Sequence, residues 1–263
     1  MDALTLGRNH PRLSEIRKAF RQGGLTPDGL LPVEGPTLIA EAIRSGLELA
    51  AVFFRFGDES DLGLDPAVPR YQVPRPVFES VTDTRESQGV IGLVRLGFAD
   101  MAVVLRPDPA PLVPVLCRIQ DPGNGGTIVR LAEAFGATAC AGTSQTAGPT
   151  NPKFVRAAAG SLFRLPYVPG VQIERLVEDV RASGLAIVGT GIDGTLDVDQ
   201  WDWTRPTVLL IGNEGSGLNA TERAGCEVTV RIPHSDCVES LNAAAAAAIC
   251  LYEAFRQRRS AAH

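Results

Sequence analysis

The sequence predicts an α/β protein in two parts, a small α/β domain followed by a mostly parallel sheet with helices on its faces. Short apolar runs alternate with helix-length segments from residue 114 onwards, and this alternation is typical of a parallel sheet. Four prolines fall between residues 106 and 114. Because proline is disfavoured in helices and central strands, these prolines predict a stiff linker. The length of 263 residues, 44% of them hydrophobic, suits two small domains as well as one large domain.

The predicted linker divides the chain into three segments. We expect an N-terminal domain over residues 1–106, the linker over 107–112 and a larger domain over 113–263. The first helix of the N-terminal domain is predicted over residues 14–21, with Ser14 as its N-cap and the glycines after residue 22 as its end. The other elements predicted there are a helix over 37–45 and strands over 49–54 and 89–96.

The larger domain has a more regular pattern of elements. Its predicted strands cover residues 114–119, 162–165, 185–188, 208–211 and 228–232. Its predicted helices cover residues 126–135, 152–159, 172–182 and 239–256. Because ligands bind beyond the carboxyl ends of strands in such sheets, the loops that follow the strands are the candidate functional segments.

Composition excludes several classes of protein. No apolar run reaches about eighteen residues, so we expect no membrane-spanning helix. Residues 1–5 lack the charge-then-apolar layout of a signal peptide, and the default expectation is a cytoplasmic protein. Five cysteines without a Cys-x-x-Cys pair argue against a disulfide framework and against a zinc site, and we expect no metal.

The charge of the chain argues both for and against a nucleic-acid partner. The net charge of −5 argues weakly against an RNA or DNA partner. Arginine nevertheless supplies nearly all the positive charge, and its planar fork suits phosphate groups. The candidate phosphate contacts are Arg8, Arg12, Arg17 and Arg156. A general preference for arginine over lysine in the source genome explains the same composition, and the sequence leaves both explanations open.

The first candidate loop, residues 120–126, contains a proline and three glycines and runs into the helix predicted from residue 126. Asn124 lies in this loop, and Arg130 lies off the apolar face of the helix, one turn in. A solvated arginine on the outer face of the helix is the alternative explanation for Arg130.

The second and third loops follow the apolar strands that end near residues 211 and 232. Residues 212–218 hold three glycines with Glu214 among them, a composition that allows a close approach of backbone to ligand. The second loop lacks the Gly-Lys-Ser/Thr of a P-loop, and a plain strand–turn–helix connection is the alternative. Residues 231–242 include Ser240 and Asn242, either of which could serve only as a helix cap.

A fourth loop matches a dinucleotide-binding pattern only superficially. Residues 189–194 read Gly-x-Gly-x-x-Gly after a strand. A dinucleotide site needs a helix that starts within the motif, whereas residues 195–199 have no helical period. We therefore disfavour a nicotinamide site, but keep Gly189 as a candidate for the wall of a ligand pocket.

The three polar loops resemble the motifs of the SpoU/TrmH family of RNA 2′-O-ribose methyltransferases, in the SPOUT superfamily. The matching segments, in the right order and spacing, are DPGNGGTIVR at residues 121–130, IGNEGSGL at 211–218, Ile-Pro at 232–233 and ESLNA at 239–243. The resemblance covers about residues 113–256. Less specifically, Glu34-Gly35 and residues 41–46 resemble the ribosomal-protein-like substrate-binding domain of many members.

Membership of this family would imply several properties that cannot be worked out from the residues alone. The family fold contains a deep trefoil knot in the C-terminal domain, an exception to the rule against threaded chains. The cofactor is S-adenosyl-L-methionine, and the active site is built by a homodimer. Carried over by motif, the catalytic residues are Asn124, Arg130, Glu214, Ser240 and Asn242, and the cofactor bed lies around Gly212, Ile232 and Leu241.

The resemblance therefore predicts ribose 2′-O-methylation of structured RNA. Ribosomal RNA is favoured because the N-terminal part resembles a module that reads folded RNA. Two alternatives remain: a tRNA 2′-O-methyltransferase, and a non-catalytic RNA-binding or ribosome-assembly protein of the same fold. The presence of all five polar motif residues argues against the non-catalytic alternative.

Overall fold

A computed structural model describes residues 4–58, 61–84, 86–106, 110–235 and 237–261 of the chain. The chain forms two compact units. The first unit comprises Met1–Gly97 together with Thr150–Arg164, and the second comprises Phe98–Pro149 together with Leu165–His263.

Within the described residues, the strands are β1 (Leu4–Thr5), β2 (Leu31–Glu34), β3 (Leu49–Arg55), β4 (Arg70–Val73), β5 (Val90–Val94), β6 (Leu112–Leu116), β7 (Cys140–Thr143), β8 (Tyr167–Val171), β9 (Ala186–Thr190), β10 (Leu196–Asp197), β11 (Thr207–Ile211) and β12 (Val228–Arg231). The helices are α1 (Pro11–Gln22), α2 (Pro36–Arg44), α3 (Arg75–Glu79), α4 (Met101–Val104), α5 (Pro122–Ala134), α6 (Pro152–Ala158), α7 (Ile173–Ala182), α8 (Ala220–Gly225) and α9 (Ala243–Ala261), with a short 3-10 helix at Ser161–Phe163. None of these helices combines the length and apolar character that crossing a membrane requires.

The first unit is built on a five-stranded mixed sheet in the order β1-β4-β3-β5-β2. Strands β1 and β3 run parallel to β4, whereas β5 runs antiparallel to β3 and β2. The apolar face of α1, with Leu13, Ile16 and Phe20, is buried in a core with Phe53 and Phe78. The small α/β domain predicted at the N-terminus is therefore present.

Helix α1 begins earlier than predicted. It starts at Pro11, and His10 rather than Ser14 is its N-cap, with His10 Nδ1 accepting a hydrogen bond from the Arg12 N–H at 3.3 Å. Proline suits the first helical position because it lacks an N–H that would have no partner there. The helix ends at Gly23, whose φ of 62° is left-handed, as the sequence predicted.

The two compact units divide the chain differently from the predicted domains. Residues 150–164 belong to the first unit because polar contacts bind them to it: Thr150 Oγ1 donates to the carbonyl of Gly23 at 2.7 Å, and Arg156 pairs with Asp83 at 2.6 Å. Arg164 pairs with Glu41 at 2.6 Å. A proline-rich stretch is a local signal, and it carries no information about these long-range contacts.

Residues 98–106 also leave the predicted N-terminal domain. Val104 and Leu105, at the end of α4, are buried in the core of the second unit with Val113 and Val115. Of the predicted linker at 107–112, residues 107–109 lie outside the described residues, and Leu112 already begins β6.

The second unit contains a seven-stranded sheet in the order β10-β12-β9-β11-β6-β7-β8. Every pairing in this sheet is parallel, as the sequence predicted. Strands β6 and β11 lie at its centre and are buried along their whole length. The order places the carboxyl ends of β12, β9, β11 and β6 side by side, which is where the candidate loops begin.

One predicted strand of the larger domain is wrong. Residues 161–163 form a 3-10 helix after Gly160, and the strand of this region is β8, after Pro166. A short apolar run does not distinguish a strand from a buried helical turn, because its periodicity is the same for both.

Two helix starts also differ from prediction. Helix α5 begins at Pro122 rather than at residue 126, and Asp121 caps it by accepting the Gly123 N–H at 2.6 Å. Helix α9 begins at Ala243 rather than at residue 239. Glycine has a low helix propensity, so the sequence pattern placed the glycines of α5 in a loop. Asn124 consequently lies in the first turn of a helix.

Candidate active site

The candidate loops meet at a pocket beyond the carboxyl ends of three neighbouring strands. Its volume is about 220 Å³, and its walls come from the ends of β9, β11 and β12 with the loops that follow, together with the start of α9 and Arg223. The lining residues are 190–192, 211–217, Val230, Ile232, His234, Ser240, Leu241, Ala243, Ala246 and Arg223. Parallel strands place successive loops at one edge, and the adjacency of β12, β9 and β11 brings these segments together.

A chain of hydrogen bonds joins the three sequence motifs. The Asn242 Nδ2 donates to Asn124 Oδ1 at 3.1 Å, and the Asn124 Nδ2 donates to Glu214 Oε1 at 3.1 Å. Each motif therefore contributes one side chain to a single polar row, although 90 residues of sequence separate Asn124 from Glu214. The structure brings these three predicted site residues together.

Glu214 is held as a carboxylate by several donors. Its oxygens accept the backbone N–H groups of Gln120 and Asp121, each at 3.2 Å, as well as the amides of Asn124 and Asn213. Partial burial raises the pKa of Glu214, but these hydrogen bonds to the charged form outweigh burial and hold the pKa below its usual value. A fixed negative charge therefore lines the pocket at neutral pH.

The loop of residues 212–218 is folded on itself by Asn213. The Asn213 Oδ1 accepts the N–H groups of Gly215 and Ser216 at 3.0 and 3.1 Å, while the backbone of Asn213 pairs with Gly217. Gly212 is required by this close packing, because a Cβ there would lie 2.5 Å from the carbonyl carbon of Gly217. The close approach of backbone predicted at Gly212 is therefore an approach to Gly217, at the far side of the same loop.

Asn242 has a second task at the start of α9. Its Oδ1 accepts the N–H groups of Ala244 and Ala245 at 2.9 and 3.2 Å, so it caps the helix while its Nδ2 contacts Asn124. Ser240 precedes the helix and lines the pocket with Ile232 and Leu241, two of the predicted cofactor-binding residues.

Arg130 is not part of the polar row. It is exposed on α5, six residues beyond Asn124 and therefore about 9 Å further along the helix axis. Within the described part of the chain, no hydrogen bond or ion pair of its guanidinium is present, and it is available to a ligand or a second chain.

Gly189 does not line the pocket, contrary to the prediction. It is buried within β9, where a Cβ would lie 2.7 Å from both Cys226 Sγ and Leu218 Cδ1, so close packing inside the unit explains this glycine. The following residues, Thr190, Gly191 and Ile192, form that wall instead. A dinucleotide site requires a helix that starts within this motif, but here the chain continues into β10. The segment therefore lacks the structure of a dinucleotide site.

The four candidate phosphate contacts all belong to the first unit, and three of them have partners there. Arg12 pairs with Asp28 at 2.6 Å, Arg17 donates to the carbonyl and hydroxyl of Ser80, and Arg156 pairs with Asp83. Arg8 is exposed and makes no such contact within the described ranges.

The sequence profile of the SpoU rRNA Methylase family matches residues 111–252, which include every residue of the polar row. The chain belongs to the SpoU rRNA methylase family. It is therefore a SpoU-family RNA methyltransferase, and the α/β fold with a large parallel sheet is that of the solved SpoU methyltransferases.

Relatives with known names match this SpoU methylase over different lengths. An uncharacterized tRNA/rRNA methyltransferase of Synechocystis sp., slr1673, is 32% identical over 258 residues, which cover 96% of this chain and 93% of that protein. The 23S rRNA (uridine(2479)-2′-O)-methyltransferase of Streptomyces viridochromogenes is 46% identical over 149 residues, 54% of this chain and 52% of that protein.

The solved structures extend the similarity to both units. The crystal structure of the SpoU methyltransferase AviRb from Streptomyces viridochromogenes in complex with AdoMet has a TM-score of 0.84 and 31% identity. The match covers 96% of this chain and 99% of that chain. Both compact units of this SpoU methylase therefore have counterparts in a solved member of the family.

Three charged residues around the pocket were missed in the sequence. Arg118 pairs with Glu222, which is 1% exposed, and Arg223 lines the pocket while donating to Asp193 at 2.8 Å. A signal was available for Glu222 alone, because Asn219, three residues before it, matches a capping box.

The pocket has no metal-ligand cluster among the described residues, and two cysteines of the same unit are protonated. No three His, Cys, Asp or Glu side chains cluster there in a way that could hold a metal ion. Burial raises the pKa of Cys226 to about 11 and that of Cys250 to about 12, so neither side chain is a thiolate at neutral pH.

Proposed function

We propose that the protein transfers a methyl group from S-adenosyl-L-methionine to a ribose 2′-hydroxyl in structured RNA, with ribosomal RNA as the substrate class. The observation that carries this proposal is the row Asn242–Asn124–Glu214 beside the pocket, because it unites the three family motifs in one place. The name of the Streptomyces viridochromogenes relative, a 23S rRNA 2′-O-methyltransferase, supports the reaction and the class of RNA.

The pocket fits this cofactor chemically. Apolar side chains of Ile211, Ile232 and Leu241 suit a flat nucleobase, and the glycine-rich loop presents backbone amides and carbonyls. The carboxylate of Glu214 is the natural counter-charge for a cationic group at this edge. We therefore assign cofactor binding to Gly212, Ile232 and Leu241, with Thr190 and Gly191 in place of Gly189.

When bound, S-adenosyl-L-methionine would supply an electrophilic methyl group on a sulfonium. The bond from the ribose 2′-oxygen to the methyl carbon would form in line as the methyl–sulfur bond breaks, with S-adenosylhomocysteine as the leaving group and the hydroxyl proton passing to solvent. Asn124 and Asn242 present amide donors and acceptors near the pocket and orient polar groups of the substrate there. Orientation of this kind is worth about 7–11 kcal/mol of barrier when two reactants are well aligned. Ser240, exposed at the pocket wall, adds a hydroxyl to the same set.

Arg130 has a different role in the proposal. A guanidinium stays protonated up to about pH 12, so it is a poor base. It is suited instead to grip an RNA phosphate and to stabilise negative charge as it develops on the ribose oxygen. Its exposure on α5 leaves it accessible to RNA or to the active site of a second chain.

We further propose that the protein is a homodimer. On α9, Ala245, Ile249 and Tyr252 form an exposed apolar stripe, with Ile249 38% and Tyr252 52% exposed. Apolar patches of this kind mark association surfaces. The rings of Tyr252 and Phe135 lie 5.6 Å apart, so the stripe adjoins α5, which carries Arg130. Light scattering should give the mass of two chains, and Tyr252→Glu should shift it to one.

The experiment that tests the function compares ribose methylation across total RNA from cells with and without the protein. A 2′-O-methyl group blocks the internal nucleophile of alkaline hydrolysis, so each modified linkage survives as a resistant position. We expect one or a few linkages in ribosomal RNA to lose resistance when the protein is absent, and to regain it when purified protein and the cofactor are added.

Other results would redirect or overturn the proposal. Loss of resistance in tRNA alone would assign the other class of substrate. Binding of S-adenosyl-L-methionine without methylation of any RNA would identify an RNA-binding protein that retains the fold. Unchanged methylation together with no binding of the cofactor would contradict the proposal entirely.

A further inference from the structure

Arg118 occupies an unusual backbone position two residues after the end of β6. Its φ is 58°, and among the described non-glycine residues only Ala159 shares a positive φ. The left-handed conformation is unfavourable for a residue with a Cβ, and it persists where surrounding contacts fix it. Such contacts exist here on both the backbone and the side chain of Arg118.

The side chain of Arg118 is held by a buried carboxylate. Its Nε and Nη2 donate to the two oxygens of Glu222, each at 2.9 Å, in a bidentate pair. Glu222 is almost fully buried and also accepts the N–H of Asn219 at 2.7 Å as part of the capping box of α8. A buried carboxylate without its cation is strongly unfavourable, so the pair fixes the guanidinium in one place.

The same guanidinium holds the loop that forms one wall of the pocket. Its Nη2 donates to the carbonyl of Gly217 at 2.7 Å, and its Nη1 donates to Ser216 Oγ at 3.2 Å. At the other end of the loop, the Asn213 Nδ2 donates to the carbonyl of Arg118 at 2.8 Å. One residue therefore fixes both ends of the loop.

Hydrogen bonds connect this loop to Glu214, a member of the polar row. Asn213 Nδ2, held by the Arg118 carbonyl, also donates to Glu214 Oε2 at 3.2 Å. Arg118 itself is not among the residues that line the pocket. It acts on the site only through the loop and through Asn213.

We infer that Arg118 is a positioning residue, which sets the shape of the cofactor pocket by holding residues 213–217 and thereby the carboxylate of Glu214. The inference deepens the proposed function, because it rests on the use of this pocket for S-adenosyl-L-methionine. It assigns to the Arg118–Glu222 pair a purpose beyond the stability of the second unit.

The test measures binding of S-adenosylhomocysteine by calorimetry, with unfolding in urea measured alongside. Arg118→Lys keeps a positive charge opposite Glu222 but loses the planar fork that reaches the loop. We expect its affinity for S-adenosylhomocysteine to fall about tenfold, the usual scale for losing hydrogen bonds to a charged group, while the variant stays folded. Arg205→Lys is the matched control, since Arg205 pairs with Glu227 at the surface of the same unit, and its affinity should be unchanged.

A double variant separates positioning from stability. Arg118→Met with Glu222→Gln removes both charges and keeps an acceptor for the cap of α8. We expect stability close to that of the wild type but affinity for S-adenosylhomocysteine as weak as in Arg118→Lys. Wild-type affinity in both variants would overturn the inference alone. Failure of the wild-type protein to bind S-adenosylhomocysteine would overturn the proposed function, and the inference with it.

Discussion

Asn124 connects Glu214 and Asn242, which follow it by 90 and 118 residues in the sequence. It can do so because a primary amide carries both a donor and an acceptor, and each is used once. Neither a carboxylate nor a hydroxyl of similar reach offers this combination with the same geometry. The two partners within the protein therefore require an amide side chain at position 124, in addition to any contact that it makes with substrate.

The pKa of Glu214 gives a prediction about stability and pH. Because hydrogen bonds to the carboxylate hold this pKa below its ordinary value of 4.5, Glu214 stabilises the fold above that pH. This contribution is lost as the pH falls through the lower pKa of the folded state. Glu214→Gln should unfold more easily by about 1 kcal/mol at pH 7, since all four hydrogen-bond partners of Glu214 described above are donors and an amide nitrogen cannot accept.

Urea unfolding of the wild type and of Glu214→Gln from pH 7 down to pH 3 checks this expectation. The difference between the two proteins should shrink below pH 4.5, the ordinary value for this side chain. A difference that stayed constant over the whole range would show that the titration of Glu214 is not coupled to folding.

A second prediction at this scale concerns Arg130. Because it lies outside the polar row and the pocket walls, Arg130→Ala should leave the affinity for S-adenosyl-L-methionine unchanged. Its loss should lower kcat by about 10²–10³, the usual effect of removing one group that stabilises charge in the transition state. Arg130→Lys, which keeps the charge without the fork, should lie between the two. Wild-type turnover in Arg130→Ala would remove the residue from the mechanism.

At the scale of elements, the start of α9 links stability to the site. Asn242 caps this helix through its oxygen and contacts Asn124 through its nitrogen. Asn242→Ala should therefore lose both functions, with a destabilisation of about 1 kcal/mol from the missing cap. Asn242→Asp keeps the cap but cannot donate to Asn124, so its stability should be close to that of the wild type while its methylation rate falls.

Thermal unfolding and methylation rate, measured on both variants, separate these two functions of Asn242. The interpretation fails if Asn242→Asp methylates RNA at the wild-type rate, or if Asn242→Ala melts at the wild-type temperature.

The elements also show what sequence patterns can and cannot establish. The apolar runs of β6, β9, β11 and β12 predicted the central strands to within a few residues, because buried parallel strands are nearly continuous in apolar residues. The glycines at 123–126 pointed to a loop, whereas Asp121 and Pro122 start a helix there. The N-cap at Asp121 and the burial of one face of α5 outweighed the low helix propensity of glycine.

At the scale of the whole molecule, the first unit provides a test of RNA binding. Arg8 is exposed and makes no ion pair within the described residues, whereas the charge of Arg12 is neutralised locally by Asp28 and Glu15. If this end of the chain contacts RNA phosphates, Arg8→Ala should weaken binding and lower the slope of log affinity against log salt by about 1. Arg12→Ala should change the slope less.

The measurement is the salt titration of RNA binding for the wild type and for both arginine variants. Identical slopes in all three would show that RNA binds without Arg8, and equal losses for the two variants would show that the local pairing of Arg12 does not matter.

Fold class, motifs and chemistry were predictable at this scale, but the division of the chain was not. The three motifs indicated a common pocket because loops after parallel strands share one edge. The pairing of Arg118 with Glu222 was not predictable, since residues 104 positions apart in sequence carry no mark of their contact. The trefoil knot expected from the family resemblance stays a prediction.

The path of residues 150–164 has a consequence for how such proteins can be recombined. The segment leaves the second unit, contributes α6 with Thr150 and Arg156 to the first, and returns at Leu165. A gene fusion that joined a foreign N-terminal half at residue 97 would bring its strands but leave α6 facing a surface that lacks Gly23 and Asp83. Exchange of the first unit as a whole therefore requires two simultaneous crossovers, one near residue 97 and one around residues 150–164.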